Sequence, residues 1–306
     1  MNTVMEGVEI RCSRGLPRLA TWLLIALSLL YASSSFATTR VAMVVGNSAY
    51  AAHARLANPG NDAKALADVF RSIGFDEVVL ATDVTRLEFE SALDTFHDLA
   101  KTADVAVFFY AGHAIQWQGG NYMIPVDAQL ESERDIKRLI LLDDVVKDAS
   151  SSRELGLVIL DACRDNPFQV QLAEQGTRGL QRVGLASPPG AAGTMVAYAT
   201  QADAVAFDGT GNHSPYTKAL IKHLPTANQD ISLVFRAVRD EVAAETDWQQ
   251  QPFTYGSLGG DEIWLVTDDS IQPGATTQAP VARTQAVLPP DGMAFFSVDA
   301  IPSDAR

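Results

Sequence analysis

Two residues in this chain could form a nucleophile and its base. Cys163 stands in Asp161-Ala-Cys163-Arg-Asp, and His113 stands 50 residues earlier in Tyr110-Ala-Gly-His113. Each follows a short apolar run, Val105-Ala-Val-Phe-Phe109 before the histidine and Leu157-Val-Ile-Leu160 before the cysteine. If those runs are neighbouring strands, the imidazole and the thiol rise from one edge of a sheet. A thiol becomes nucleophilic on ionisation, and a nearby histidine takes its proton or stabilises its thiolate. Taken singly, a cysteine is more often a small buried hydrophobe and a histidine an ordinary satisfied group. The shared position just after strand ends favours the pair. His97 and His223 lie within helical patterns, and His213, which precedes a helix cap, is the reserve base.

Other chemistries fail on spacing. The chain has no G-x-x-x-x-G-K-[ST] loop, no G-x-G-x-x-G and no G-x-S-x-G elbow. Its two cysteines and scattered histidines do not assemble a typical zinc site, so no metal is expected.

The elements that position the pair are legible as periodicity. Val41–Val45, Glu77–Leu80, Val105–Phe109, Leu157–Leu160, Met195–Tyr198 and Ile263–Val266 are short apolar runs, as strands buried on both faces require. One helix opens at Asn61-Asp62 and carries Ala63, Leu66, Ala67, Phe70 and Ile73 on one face. Others start at the capping box Thr85-Arg-Leu-Glu88, at Ser214-Pro215 and after Asp230. Strands alternating with helices predict an α/β/α sandwich on a mostly parallel sheet. Ligands of such sheets lie beyond the carboxyl ends of the strands, where both candidates fall.

Composition narrows the function further. With 306 residues, 47% of them apolar and 20% charged, the chain can bury a sizeable core. A net charge of −14 argues against a nucleic-acid partner, because phosphate contacts need a basic face. Arg11, Arg14 and Arg18, the apolar run Leu19–Tyr31 and Ser35-Phe36-Ala37 have the order of a secretory signal peptide. That run of 13 residues is shorter than a membrane span. The expectation is therefore an exported, periplasmic or extracellular protein, with no membrane contact once residues 1–37 are removed. Removal takes away two acids, three bases and Cys12, leaving a charge of −15 and one cysteine, Cys163. The segment 267–306, rich in Pro, Gly, Thr, Gln and Ala, reads as a flexible tail.

With these residues in view the chain resembles a known family. The His113–Cys163 spacing and Asp161-Ala-Cys-Arg-Asp-Asn-Pro-Phe168 join Tyr110-Ala-Gly-His113, Ile124-Pro-Val-Asp-Ala128 and Asn212-His-Ser-Pro-Tyr-Thr-Lys-Ala219. Together with Gln251-Pro-Phe-Thr-Tyr-Gly-Ser-Leu-Gly-Gly-Asp261, they resemble the bacterial caspase-like cysteine peptidases, relatives of metacaspases also called orthocaspases. The likeness runs from about Arg40 to Val266, within a peptidase domain placed at 38–266. It implies a six-stranded sheet with an antiparallel last strand and a Cys163/His113 dyad working without an active-site cofactor. It also implies an oxyanion hole of backbone N–H groups from Cys163 and from the residue after the histidine. That residue is usually glycine and here is Ala114, so the donor survives only if the backbone does not need a positive φ.

The resemblance assigns specificity as well. Asp62 and Asp161 match carboxylates that line a metacaspase pocket for Arg or Lys, while Leu56 stands where caspases carry the arginine that selects acidic residues. Two carboxylates suit a guanidinium or an ammonium. By residue type alone, Asp62 reads first as a first-turn acid favoured by the helix dipole and Asp161 as a strand-end cap; it is the resemblance that makes them a pocket. The expected enzyme is a monomeric thiol endopeptidase acting on peptides or proteins with a basic P1 residue. Calcium activation is left open. Arg178 and Arg182, after the nucleophile, are candidate self-cleavage points. Two alternatives stand beside it: a catalytically silent caspase-fold scaffold, and another thiol enzyme, such as an amidase, on a similar sheet.

Overall fold

A computed structural model describes residues 38–52, 54–163, 192–201 and 206–268, with the side chain of Cys163 outside the described set. In chain order its elements are β1 (Arg40–Gly46), α1 (Pro59–Ser72), β2 (Glu77–Thr82), α2 (Arg86–Thr102), β3 (Val105–Trp117) and β4 (Gly120–Met123). Then come α3 (Glu133–Ile136), β5 (Ile140–Leu141), α4 (Leu142–Ala149), β6 (Leu155–Cys163), β7 (Thr194–Tyr198), α5 (Pro215–His223), α6 (Ile231–Glu245) and β8 (Phe253–Ser257). The signal segment, the tail beyond residue 268 and the candidate cleavage sites Arg178 and Arg182 lie outside the described residues.

The main sheet has the order β2-β1-β3-β6-β7-β8, parallel except for β8, which runs antiparallel to β7. Alternation along the strands sorts the core into two layers. Ala42, Val44, Val107, Phe109, Leu157 and Ile159 face α1, α5 and α6, packing on Leu66, Phe70, Leu220 and Val238. Val41, Met43, Val45, Phe108 and Val158 face the other way, onto Phe89 and Phe96 of α2 and Val145 and Val146 of α4. Both faces of the central strands β1, β3, β6 and β7 are therefore buried, which explains why they read as continuous apolar runs.

Local signals set several helix starts. Thr85 and Glu88 form the capping box of α2, Ser214 caps α5 through the Thr217 N–H, and Asp230 caps α6 through the Ser232 N–H. The first helix begins earlier than the sequence predicts, at Pro59 behind Asn58. Proline accepts that position because its missing N–H would go unpaired there. The predicted final strand at Ile263–Val266 is a correction: the sixth strand of the sheet is Phe253–Ser257. The 263–266 segment instead crosses the start of α6, where Ile263 O accepts the Ile231 N–H, and Leu265 is buried against that layer. Its apolar character serves helix packing rather than sheet pairing.

Strand β3 outruns its predicted end at Phe109. It stays beside β6 as far as His113 and then pairs antiparallel with β4 from Ala114 onward. His113 therefore lies within the strand, at the point where it changes partner.

Candidate active site

The pairing of β3 with β6 brings the two candidate residues together. Their register runs from Val105↔Leu155 to His113↔Cys163, so the histidine and the cysteine are cross-strand partners at the carboxyl end of the sheet. The backbone of Cys163 is the last residue of β6. Sheet order reverses beside β1, whose neighbours are β2 and β3, so the pair stands next to the crevice where open α/β sheets bind ligands.

The His113 ring has one committed nitrogen. Nε2–H donates to the Ala54 carbonyl oxygen at 2.8 Å. A carbonyl only accepts, so Nε2 carries the proton of the neutral ring and Nδ1 keeps its lone pair. Nδ1 is buried and has no hydrogen-bond partner among the described residues. Burial holds the imidazole below its ordinary range, against the Ala54 carbonyl and the Asp208 charge, which act in the opposite direction. The ring is thus neutral near neutral pH, with the lone pair of Nδ1 unpaired among the described residues.

Ala114 does not need the flexibility of glycine. Positive φ among the described non-glycine residues occurs at Asp83, Gln118, Asn228, Asp247 and Trp248, not at Ala114. The Ile124 N–H donates to His113 O, so by ladder alternation the next pair, Ala114↔Met123, is a non-hydrogen-bonded one. The Ala114 N–H is therefore not committed to β4.

Asp62 and Asp161 meet in one small cleft, together with Leu56, Gly112, Phe207 and Asp208. Asp62 reaches it because α1 sits tightly on the end of β1: a Cβ at Gly46 would stand 2.3 Å from Pro59 O and 2.6 Å from the Ala63 Cβ. Asp62 Oδ1 lies 2.8 Å from His213 Nδ1, and Oδ2 accepts the Ser214 N–H at 3.4 Å. Burial, then the Asp161 charge, push its carboxyl from the ordinary 3.8 up to about 8, against the Ser214 N–H and Lys218. Asp161 accepts the hydroxyls of Ser214 and Thr217, the latter at 2.8 Å. Burial raises it to about 6 although both hydroxyls pull it down. Asp161 thus lines the cleft and also anchors the start of α5. His213, the reserve base, is held by Asp62, while His97 and His223 pair with Asp148 and Glu241 on helices, away from this cleft.

The sequence did not single out Asp208. It lies in the same cleft and its charge acts on Asp62, Asp161 and His113. Its Oδ2 accepts the Ala57 N–H at 3.0 Å. In the sequence Asp208-Gly-Thr-Gly reads as a turn, and nothing local marks it as facing the sheet edge. A larger cleft of about 740 Å³, bounded by Arg86, Asp127 and Arg138, holds no cysteine or histidine. Among the described residues no group of three or more His, Cys, Asp or Glu could hold a metal ion, and no helix is long and apolar enough to cross a membrane.

Comparison with known proteins bears on the family and the fold. Residues 39–261 match the caspase domain, a peptidase family. Over 130 residues the chain is 31% identical to mucosa-associated lymphoid tissue lymphoma translocation protein 1 of Homo sapiens, and equally to its Mus musculus homolog. That match spans 42% of this chain and 15% of each relative. The crystal structure of protein GSU0716 from Geobacter sulfurreducens is similar in fold, with a TM-score of 0.54 at 16% identity, covering 75% of this chain and 98% of that one.

Proposed function

The chain belongs to the caspase-domain family, and from that premise we propose that it is an exported cysteine endopeptidase cleaving after Arg or Lys. The observation that carries the reading is the register His113↔Cys163, combined with an imidazole whose Nε2 is tied to a carbonyl and whose Nδ1 has no hydrogen-bond partner among the described residues. In this mechanism Cys163 Sγ attacks the scissile carbonyl, forming a C–S bond. His113 takes the thiol proton and delivers it to the leaving amine as the C–N bond breaks. Water then enters, gives a proton to His113 and hydrolyses the thioester, and the thiol recovers its proton. The N–H groups of Cys163 and Ala114 stabilise the oxyanion.

The three carboxylates support a basic P1 residue. Asp62 and Asp161 are buried and pushed up first by poor solvation, with the Asp161 charge acting on Asp62, and Asp208 adds a third carboxyl to the cleft, so a further counter-charge is favoured there. A guanidinium or ammonium supplies it, while a substrate aspartate adds to the repulsion. Binding of a basic side chain should therefore draw Asp62 back into its ionised form and release a proton. Leu56 in this cleft offers no cation for an acidic P1 residue.

Peptides that differ only at P1 (Arg, Lys, Gln, Asp) test the reading in the wild type and in Cys163→Ala. Cleavage of the Arg and Lys peptides, lost by about 1000-fold or more in the variant, is expected. Undiminished activity in Cys163→Ala overturns the mechanism, and preference for Asp overturns the pocket.

A further inference from the structure

Beyond the dyad, and resting on the reading of His113 as its base, we propose that Tyr50 is the positioning residue that fixes the His113 imidazole. The two rings lie with centroids 4.5 Å apart at 44°. The Tyr50 hydroxyl accepts the backbone N–H of His113 at 2.8 Å, so one side chain holds both the ring and the peptide that carries it. From the other side Tyr110 OH donates to His113 O at 2.7 Å, and the two phenolic oxygens are 3.3 Å apart. The peptide groups on either side of the His113 Cα are thus bracketed by a pair of buried phenols.

The space for those phenols is made by Gly112. Its φ is +153°, and a Cβ there would stand 2.6 Å from Tyr50 OH and 2.7 Å from Tyr110 OH. Any side chain at 112 would displace both hydroxyls, so Tyr110-Ala-Gly-His113 is a single device with Tyr50 as its distant member.

Tyr50 itself stands on a rigid segment. Asn47 N–H donates to Ala111 O at 2.9 Å, and the N–H groups of Ser48 and Ala49 both donate to Asp83 Oδ1 at 2.7 Å. Ala51 N–H donates to Val126 O at 2.9 Å. Four residues after Tyr50, Ala54 supplies the carbonyl that receives Nε2–H. One short segment therefore packs the imidazole and selects its tautomer, leaving Nδ1 as the nitrogen presented for catalysis. Tyr50 also belongs to a small apolar cluster with Ile115, Trp117 and Ile124, so packing alone is the competing explanation. Packing predicts loss of stability without a change in the state of the histidine.

Two variants of the full chain separate these roles. Tyr50→Phe keeps the ring and removes the hydrogen bond, and kcat should fall about fivefold with KM unchanged. Tyr50→Leu removes the ring as well, and kcat should fall about 100-fold with KM again unchanged, as expected when a reacting group is misplaced by a fraction of an ångström. Nitrogen NMR of histidine-labelled protein, in a Cys163→Ala background that needs no substrate, should show a single Nε2–H tautomer of His113 in the parent and in Tyr50→Phe. In Tyr50→Leu it should show a mixture of tautomers. Retention of kcat within twofold in a folded Tyr50→Leu, or an unchanged tautomer in that variant, overturns the proposal. Absence of peptidase activity in the wild type overturns the functional reading instead, and the NMR measurement then decides the role of Tyr50 by itself.

Discussion

Asp62 concentrates the conflict between stability and function. Its carboxyl is buried and lies 2.8 Å from His213, yet burial and Asp161 hold its pKa at about 8. An unfolded chain gives up that proton near 3.8, so between about pH 4 and pH 8 the folded state binds more protons than the unfolded one. Stability therefore falls as pH rises through this window, and the loss is complete above it. Asp62→Asn keeps an oxygen for the Ser214 N–H and removes the ionisation. Relative to the wild type, its Tm should rise progressively from pH 4 to pH 9, read by thermal melts in matched buffers. A Tm difference that is the same at both ends of the range would contradict the assignment. The same variant should lose most of its preference for Arg over Gln at P1. Asp161→Asn is a poorer probe of the pocket, because Asp161 also receives the hydroxyls of Ser214 and Thr217 at the start of α5 and its loss would disturb that helix.

Individual elements place these residues, and the sequence revealed them unevenly. The parallel strands were legible because burial on both faces leaves an unbroken apolar run, and the starts of α2, α5 and α6 because their caps are local chemistry. Strand β8 was not legible. Phe253-Thr-Tyr-Gly-Ser lies at the sheet edge, largely exposed, and its pairing with β7 is a long-range contact that leaves no apolar period. Helix α4 carries Leu142, Val145, Val146 and Ala149 at helical spacing on its buried face, a period that the sequence reading passed over because it spans only two turns. His113 and Cys163 were singled out because the apolar runs of β3 and β6 that precede them are readable, although β3 continues through His113, but Asp208 and Tyr50 reach the site through loops whose course only tertiary contacts determine. Gln250 shows how such a loop is held. Its buried Nε2 donates to Ala199 O at 2.9 Å and its Oε1 accepts the Phe207 N–H at 3.0 Å, so one amide fixes backbone on both sides of residues 202–205. Gln250→Leu leaves both backbone groups without this partner. It should lower stability by about 2–4 kcal/mol and reduce the Arg-to-Gln selectivity at P1, because Phe207 and Asp208 follow that anchor. Unchanged selectivity in a destabilised variant would limit Gln250 to a structural role.

At the scale of the molecule, the fold brings residues from one helix, two strands and one loop to a single edge of the sheet. Asp62 follows β1, His113 leaves β3 at its change of partner, Cys163 ends β6, and Asp208 arrives from the segment after β7. The whole chain carries a net charge of −14, which at long range favours approach of cations over anions. The most direct test combines chemistry and pocket in one reaction. Peptidyl acyloxymethyl ketones with Arg, Lys or Asp at P1 are incubated with the protein, and intact mass and peptide mapping give the rate and site of labelling. One label per chain is expected, on Cys163, at least 10-fold faster with Arg or Lys than with Asp, and slowed severely in His113→Ala. Faster labelling by the Asp reagent, or labelling of Cys163 at the same rate in His113→Ala, would contradict it.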